Sequence, residues 1–95
     1  MRSRRTKTFR DSLDGLSDET KEAVAAKYEL FRENQNDRVL RRKTIKRLKT
    51  FGTFIEVRIT WSCRAIAEAR NGDDYLWIFV GPHSGFDRFV ANFRR

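Results

Sequence analysis

The chain is 95 residues long, enough for one hydrophobic core and too short for two. It carries 21 basic and 13 acidic side chains, a formal net charge of +8, with 39% hydrophobic residues and one cysteine. An internal disulfide is excluded, no apolar run is long enough to span a bilayer, and none follows the basic Met1-Arg2-Ser3-Arg4-Arg5 as a leader would require.

The expectation is a soluble cytoplasmic protein with no membrane partner. Charge is unevenly distributed. Residues 1–10 hold five bases and no acids, and residues 11–37 hold eight acids against three bases. Residues 38–49 hold seven bases and no acid: Arg38, Arg41, Arg42, Lys43, Lys46, Arg47 and Lys49. Such a strip draws phosphates by counterion release and by steering. The plain alternative is a solvated charged face.

Residues 1–5 are expected to be frayed. Thr6 to Asp14 fits a short helix, with Phe9, Leu13 and Leu16 at near-helical spacing. Ser17 is a good N-cap, and Asp18 and Glu19 suit a helix start. That helix runs to about Asn34, with Thr20, Ala23, Val24, Lys27, Tyr28 and Phe31 inward. Val39 to Leu48 reads as an edge strand anchored by Leu40, Ile45 and Leu48, its bases protecting the edge.

Residues 53–59 alternate, with Ile55, Val57 and Ile59 on one side. A turn at Thr60-Trp61-Ser62 sets Ile59 opposite Cys63 and Arg58 opposite Arg64. Asn71-Gly72 then joins strands Cys63 to Arg70 and Tyr75 to Val80, because both central positions of a type I′ turn need positive φ. A two-residue loop pairs Arg70 with Asp73. It sets Leu76, Ile78 and Val80 on the face of Cys63, Ala65 and Ala67, and Tyr75, Trp77 and Phe79 beside Arg64. Gly81-Pro82 ends the strand, and His83 to Asn92 forms a last helix with Phe86, Phe89, Val90 and Phe93 inward. The whole is α+β: two N-terminal helices packed on a four-stranded antiparallel sheet, with a short C-terminal helix.

One sheet face thus gathers Phe54, Arg58, Arg64, Tyr75, Trp77 and Phe79. Facing arginines repel unless an anion sits between them. Aromatics interleaved with arginines suit single-stranded nucleic acid. Two plain alternatives stand beside this. The arginines could bridge to Glu56, Glu68 or Asp87, and the aromatics could form a second core layer under the last helix. One histidine and one cysteine make no metal site, and no glycine-rich phosphate loop is present, so no cofactor is expected.

The element order resembles the RelE/ParE superfamily of bacterial toxins from toxin–antitoxin modules. The strings that carry the resemblance are Ala23 to Phe31, Leu40-Arg41-Arg42-Lys43, Val57-Arg58-Ile59, Cys63-Arg64-Ala65 and the run from Trp77 to Asp87. The resemblance spans roughly residues 6–90, and no one string is specific alone. It implies a single RelE-like domain over 1–95 that inhibits translation by binding and cleaving messenger RNA on the ribosome without a metal. A cognate antitoxin would neutralise it. Arg58 and Arg64 correspond to strand arginines that contact phosphate, Lys43 and Lys46 to basic first-strand positions, and His83 to a histidine after the last strand. Members commonly carry His-x-x-Tyr-Asp there, whereas this chain has Phe86, which can stack but cannot transfer a proton.

Metal-free RNA cleavage needs the 2′-hydroxyl deprotonated, the phosphorane charge neutralised and the leaving 5′-oxygen protonated. His83, the chain's one histidine, is the candidate base or acid. Arg64 and Arg58 could clamp the phosphate. Lys43, Lys46, Arg41, Arg42 and Arg47 could hold flanking phosphates, and Trp77 or Phe86 could stack a base. A lone histidine after a strand is equally a helix cap or a surface hydrogen-bonder. Two other outcomes of the same resemblance are a non-nucleolytic inhibitor of DNA gyrase and a degenerate homologue that only binds an antitoxin or nucleic acid.

Overall fold

A computed structural model describes residues 1–93, with side chains as far as Asn92. Two hydroxyl caps set the N-terminal half. Thr6 accepts from the Phe9 N–H at 3.1 Å and starts α1 (Lys7–Asp14). Ser17 accepts from the Thr20 N–H at 3.1 Å and starts α2 (Asp18–Glu33), where Asp18 and Glu19 suit the helix dipole. Five strands form one sheet: β1 (Arg2–Arg5), β2 (Lys43–Thr44), β3 (Phe54–Arg58), β4 (Cys63–Arg70) and β5 (Asp74–Pro82), in the order β1-β5-β4-β3-β2. Helix α3 (His83–Phe93) follows β5 directly. The α+β class is as expected. The structure departs from the sequence reading in one boundary and at three larger places. At the boundary, β5 runs on through Gly81 and Pro82, paired with Arg64 and Cys63, where the strand was expected to end.

The first is the amino terminus. Arg2–Arg5 is not frayed but pairs parallel to β5, from Arg2 opposite Asp74 to Arg5 opposite Trp77. Without it β5 would present an open edge of unpaired peptide groups. Side chains secure the pairing. The amino-terminal ammonium lies 3.1 Å from Asp73, and Trp77 Nε1 donates to Ser3 Oγ at 2.8 Å.

The second is residues 39–48, where only Lys43 and Thr44 are strand. A 3₁₀ turn at Arg38–Leu40 precedes them, and a 3₁₀ helix at Lys46–Phe51 follows. The reason is anchor spacing. Ile45 and Leu48, three residues apart, lie on one side of a 3₁₀ turn and sink together into the α3-side core, while Leu40 enters the α2-side core. A period-two strand offers no such grouping.

The third is the β4–β5 hairpin. Asn71 (φ 46°) and Gly72 (φ 77°) do take positive φ, but Arg70 pairs with Asp74, so Asp73 joins the loop. Adding one residue flips the start of β5. Ala67 faces Trp77 and Ala69 faces Tyr75, which turns both aromatics toward α2 and Leu76 away. A bulge at Ile78 then restores the alternation, with Phe79 opposite Ile66 and Val80 opposite Ala65.

The sheet is therefore covered on both faces. On one, α1 and α2 close over Phe9, Phe31, Ile55, Val57, Tyr75 and Trp77, with Phe31 edge-on to both Tyr75 (5.0 Å) and Trp77 (5.2 Å). On the other, α3 and the 3₁₀ helix close over Phe54, Ile66, Ile78, Phe86 and Val90, while Phe79 stacks on Phe89. Phe93, also expected inward, has its side chain outside the described residues.

Candidate nucleic-acid interface

The α3-side face is apolar over only part of its area. Its remaining part is ionic, built by cross-strand pairing: Lys43 opposite Glu56, and Arg58 opposite Arg64. Glu56 is the buried charged residue among the described residues, 7% exposed, and its two oxygens are already engaged. Oε1 lies 3.1 Å from Lys43 Nζ, and Oε2 lies 3.7 Å from Arg64 Nε. Arg64 is further committed to the β3–β4 turn, where Nη1 donates to the carbonyls of Thr60 and Trp61, each at 3.1 Å. Arg64 thus braces the turn as well as balancing Glu56.

Arg58 is left over. Its Nε is buried and has no hydrogen-bond partner among the described residues. Its guanidinium lies 5.2 Å over the ring of Trp61, at the turn, and that ring is 84% exposed. Desolvation first, then the neighbouring cations Arg64 and Arg41, pull the Arg58 pKa below its ordinary range, with Glu56 opposing them. A cation repelled by its neighbours and short of an acceptor is a place where an anion gains contacts at little cost.

The turn also carries His83 into this neighbourhood. The His83 backbone N–H donates to the Ser62 carbonyl at 3.0 Å as α3 begins. Its exposed imidazole lies 3.6 Å from Asp87 Oδ2, one helical turn on, and Arg47 reaches the other oxygen of Asp87 at 3.4 Å. Phe86 lies parallel to the imidazole with ring centres 6.1 Å apart, yet is only 3% exposed, seated in the α3-side core. Trp77 is 5% exposed, enclosed by Phe9, Tyr28 and Phe31. Neither ring offers a free face, so the base-stacking role expected of Trp77 and Phe86 does not fit. Both rings are core, one under each helical layer.

The basic strip disperses. Lys43 pairs with Glu56 and Arg47 with Asp87. Arg42 folds over Tyr75, donating to its hydroxyl at 3.2 Å. Arg41, in the left-handed region at φ 46°, and Lys46 are exposed, and neither has a carboxylate partner among the described residues. Of the carboxylates offered as bridges for the arginines, Glu56 is the one Arg64 takes. One residue of the site escaped sequence reasoning: Trp61, visible as a bulky aromatic in a tight turn, where no core is within reach.

The opposite face holds a cleft of about 520 Å³ between α1, α2 and the sheet. Phe9, Tyr28, Val57 and Trp77 are among its walls, and Arg4, Lys21 and Lys27 also line it. Lys27 Nζ donates to the Ile59 carbonyl there at 2.9 Å. Among the described residues no group of three or more His, Cys, Asp or Glu side chains could hold a metal ion. No described helix is long and apolar enough to cross a membrane.

No protein-family model matches the chain, and no curated protein matches it in sequence. Among solved structures, the chain is similar to a copper-bound mutant toxin from Helicobacter pylori, with a TM-score of 0.62 and 18% identity over 90% of this chain and 97% of that one. At that identity the likeness is one of fold.

Proposed function

We propose that this protein is the toxin of a toxin–antitoxin pair, of the RelE-like kind, acting on messenger RNA in or near the ribosome. The fold shared with a bacterial toxin supports the first part. The observation that carries the second is Arg58: a guanidinium with an orphaned buried Nε, beside Arg64 and Arg41, whose nearby carboxylate is taken. A phosphodiester supplies the missing acceptor and relieves the repulsion. In this reading Arg58 holds the scissile phosphate, and Arg64 shapes the turn that presents it. His83, oriented by Asp87, exchanges the proton of the 2′-hydroxyl or of the leaving 5′-oxygen. Lys46 and Arg41 hold flanking phosphates. With Phe86 buried and without a hydroxyl, the proton transfer that His83 does not make falls to solvent, or, at the leaving 5′-oxygen, to the Lys46 ammonium as donor. A cognate antitoxin with an acidic segment would neutralise the +8 domain.

The test is primer extension on cellular transcripts after brief induction of wild type, Arg58→Ala and His83→Ala. Cuts made by wild type and lost in both variants are expected. Arrested growth with intact transcripts and altered DNA supercoiling would transfer the function to gyrase inhibition. Normal growth with intact transcripts would leave a binding module.

A further inference from the structure

We infer that Trp61 and Arg58 together form a stacking site for one unpaired nucleobase of the RNA, with Trp61 as the stacking platform. The inference rests on the RNA-directed reading above and adds the residue and the strandedness of the substrate. Folding does not explain an indole that is 84% exposed, since burying an aromatic is worth more than leaving it in water. Solvent exposure at a turn tip costs this fold nothing it needs, yet the ring is not free to wander. Arg58 lies over one face at 5.2 Å, and the turn backbone beneath is held by Arg64 through the Thr60 and Trp61 carbonyls. His83 fixes the same turn through the Ser62 carbonyl. The result is a pre-oriented ring with a cation on one side, at the end of the sheet where the Arg58 Nε has no hydrogen-bond partner among the described residues.

Single-stranded nucleic acid is recognised by this pairing of a flat π surface for the base with a cation for its phosphate. A duplex has its bases stacked internally and offers none to the ring, so the site selects unpaired RNA. Arg58 and Trp61 then divide the work. The guanidinium accounts for salt-dependent affinity and the indole for affinity that salt does not touch.

Trp77, the other tryptophan, is buried, so quenching of the exposed indole reads the site directly. The probe is a 2′-O-methyl oligoribonucleotide of about ten nucleotides, which cannot be cut through its own 2′-hydroxyl. With wild type, indole emission should be quenched on binding. The same strand annealed to its complement should bind more weakly and quench less. Trp61→Ala should weaken binding roughly five- to fifty-fold with an unchanged slope of log affinity against log salt, and Trp61→Phe should recover most of the loss. Arg58→Ala should instead reduce that slope by about one. Binding without quenching, or an unchanged affinity in Trp61→Ala, would overturn the stacking site while leaving RNA binding in place. No binding by wild type at all would remove the RNA reading and this site with it. Quenching by an acidic peptide but not by RNA would assign Trp61 to a protein interface and overturn the inference.

Discussion

The two faces of the sheet use the same alternation rule and end up with opposite characters. The α2-side face is apolar along its whole length and carries Tyr75 and Trp77. The α3-side face is apolar under the helix and ionic beyond it, with Lys43, Glu56, Arg58 and Arg64 in adjoining registers. Composition does not separate them, because β5 supplies aromatics to both. The separation comes from two local devices: the extra loop residue Asp73, which sends Tyr75 and Trp77 toward α2, and the bulge at Ile78, which returns Phe79 to the α3 side. A face that could have been an open aromatic–arginine platform is thereby filled, and the free aromatic is left to the opposite end, at Trp61.

Inserting one residue between Tyr75 and Leu76 should break this division outright. Tyr75 and Trp77 then stand an odd number of residues apart, so without a new bulge no register keeps both toward α2. The expected outcome is loss of cooperative unfolding in urea. A sharp transition near the wild-type midpoint would show that the inward placement of this aromatic pair does not hold the fold.

The two tryptophans sharpen the comparison next. Trp77→Ala empties a site walled by Phe9, Tyr28 and Phe31 and strands the Ser3 hydroxyl, and should cost about 3–5 kcal/mol in urea unfolding. Trp61→Ala should change stability by about 0.5 kcal/mol or less. Equal losses would contradict the assignment of one ring to the core and the other to solvent.

Glu56→Gln tests the ionic half of the α3-side face. Glu56 is the carboxylate within reach of both Lys43 and Arg64, and removing its charge leaves those two and Arg58 mutually repelling. We expect a loss of about 1–3 kcal/mol at low salt, shrinking as salt is raised. Affinity for a polyanion should rise in the same variant. Weaker polyanion binding by a folded Glu56→Gln protein would mean that Glu56 organises the site rather than merely balancing it.

Much of this was legible in the sequence where causes are local. The Ser17 cap, the β3–β4 register placing Arg58 opposite Arg64, and the start of α3 at His83 each depend on residues within a few positions. The β5 face assignment was not legible. Asp73 belongs to the loop because its partners are Met1 and Gln35, 38 residues away in the second case, and no turn rule contains them. The edge strand failed for a related reason: Leu40 answers to one core and Ile45 and Leu48 to the other, a split that appears only once both faces exist. Of the site, the arginine pair could be read from the sequence but its inequality could not. Glu56 and the turn carbonyls claim Arg64, and that makes Arg58 the cation with something to offer.

The smallest effect concerns the charge that helps hold the longer loop. A hydrogen bond from Gln35 Nε2 at 2.7 Å, and then the amino-terminal ammonium, hold the Asp73 carboxyl below the usual carboxylate range. A carboxyl lowered on folding adds stability that is complete above the unfolded value, near pH 4, and is lost as pH falls through the folded value. Wild type should therefore melt slightly above Asp73→Asn at pH 7, and the gap should close as the pH falls below about 4. Asparagine keeps an oxygen for Gln35, so the gap isolates the charge. Because the carboxylate is exposed, the gap should also fade in high salt. Melting curves that stay parallel from neutral to acid pH would mean that Asp73 holds the loop by its backbone and its hydrogen bond alone. The register of β5, and with it the difference between the two faces, would then owe nothing to the amino-terminal charge.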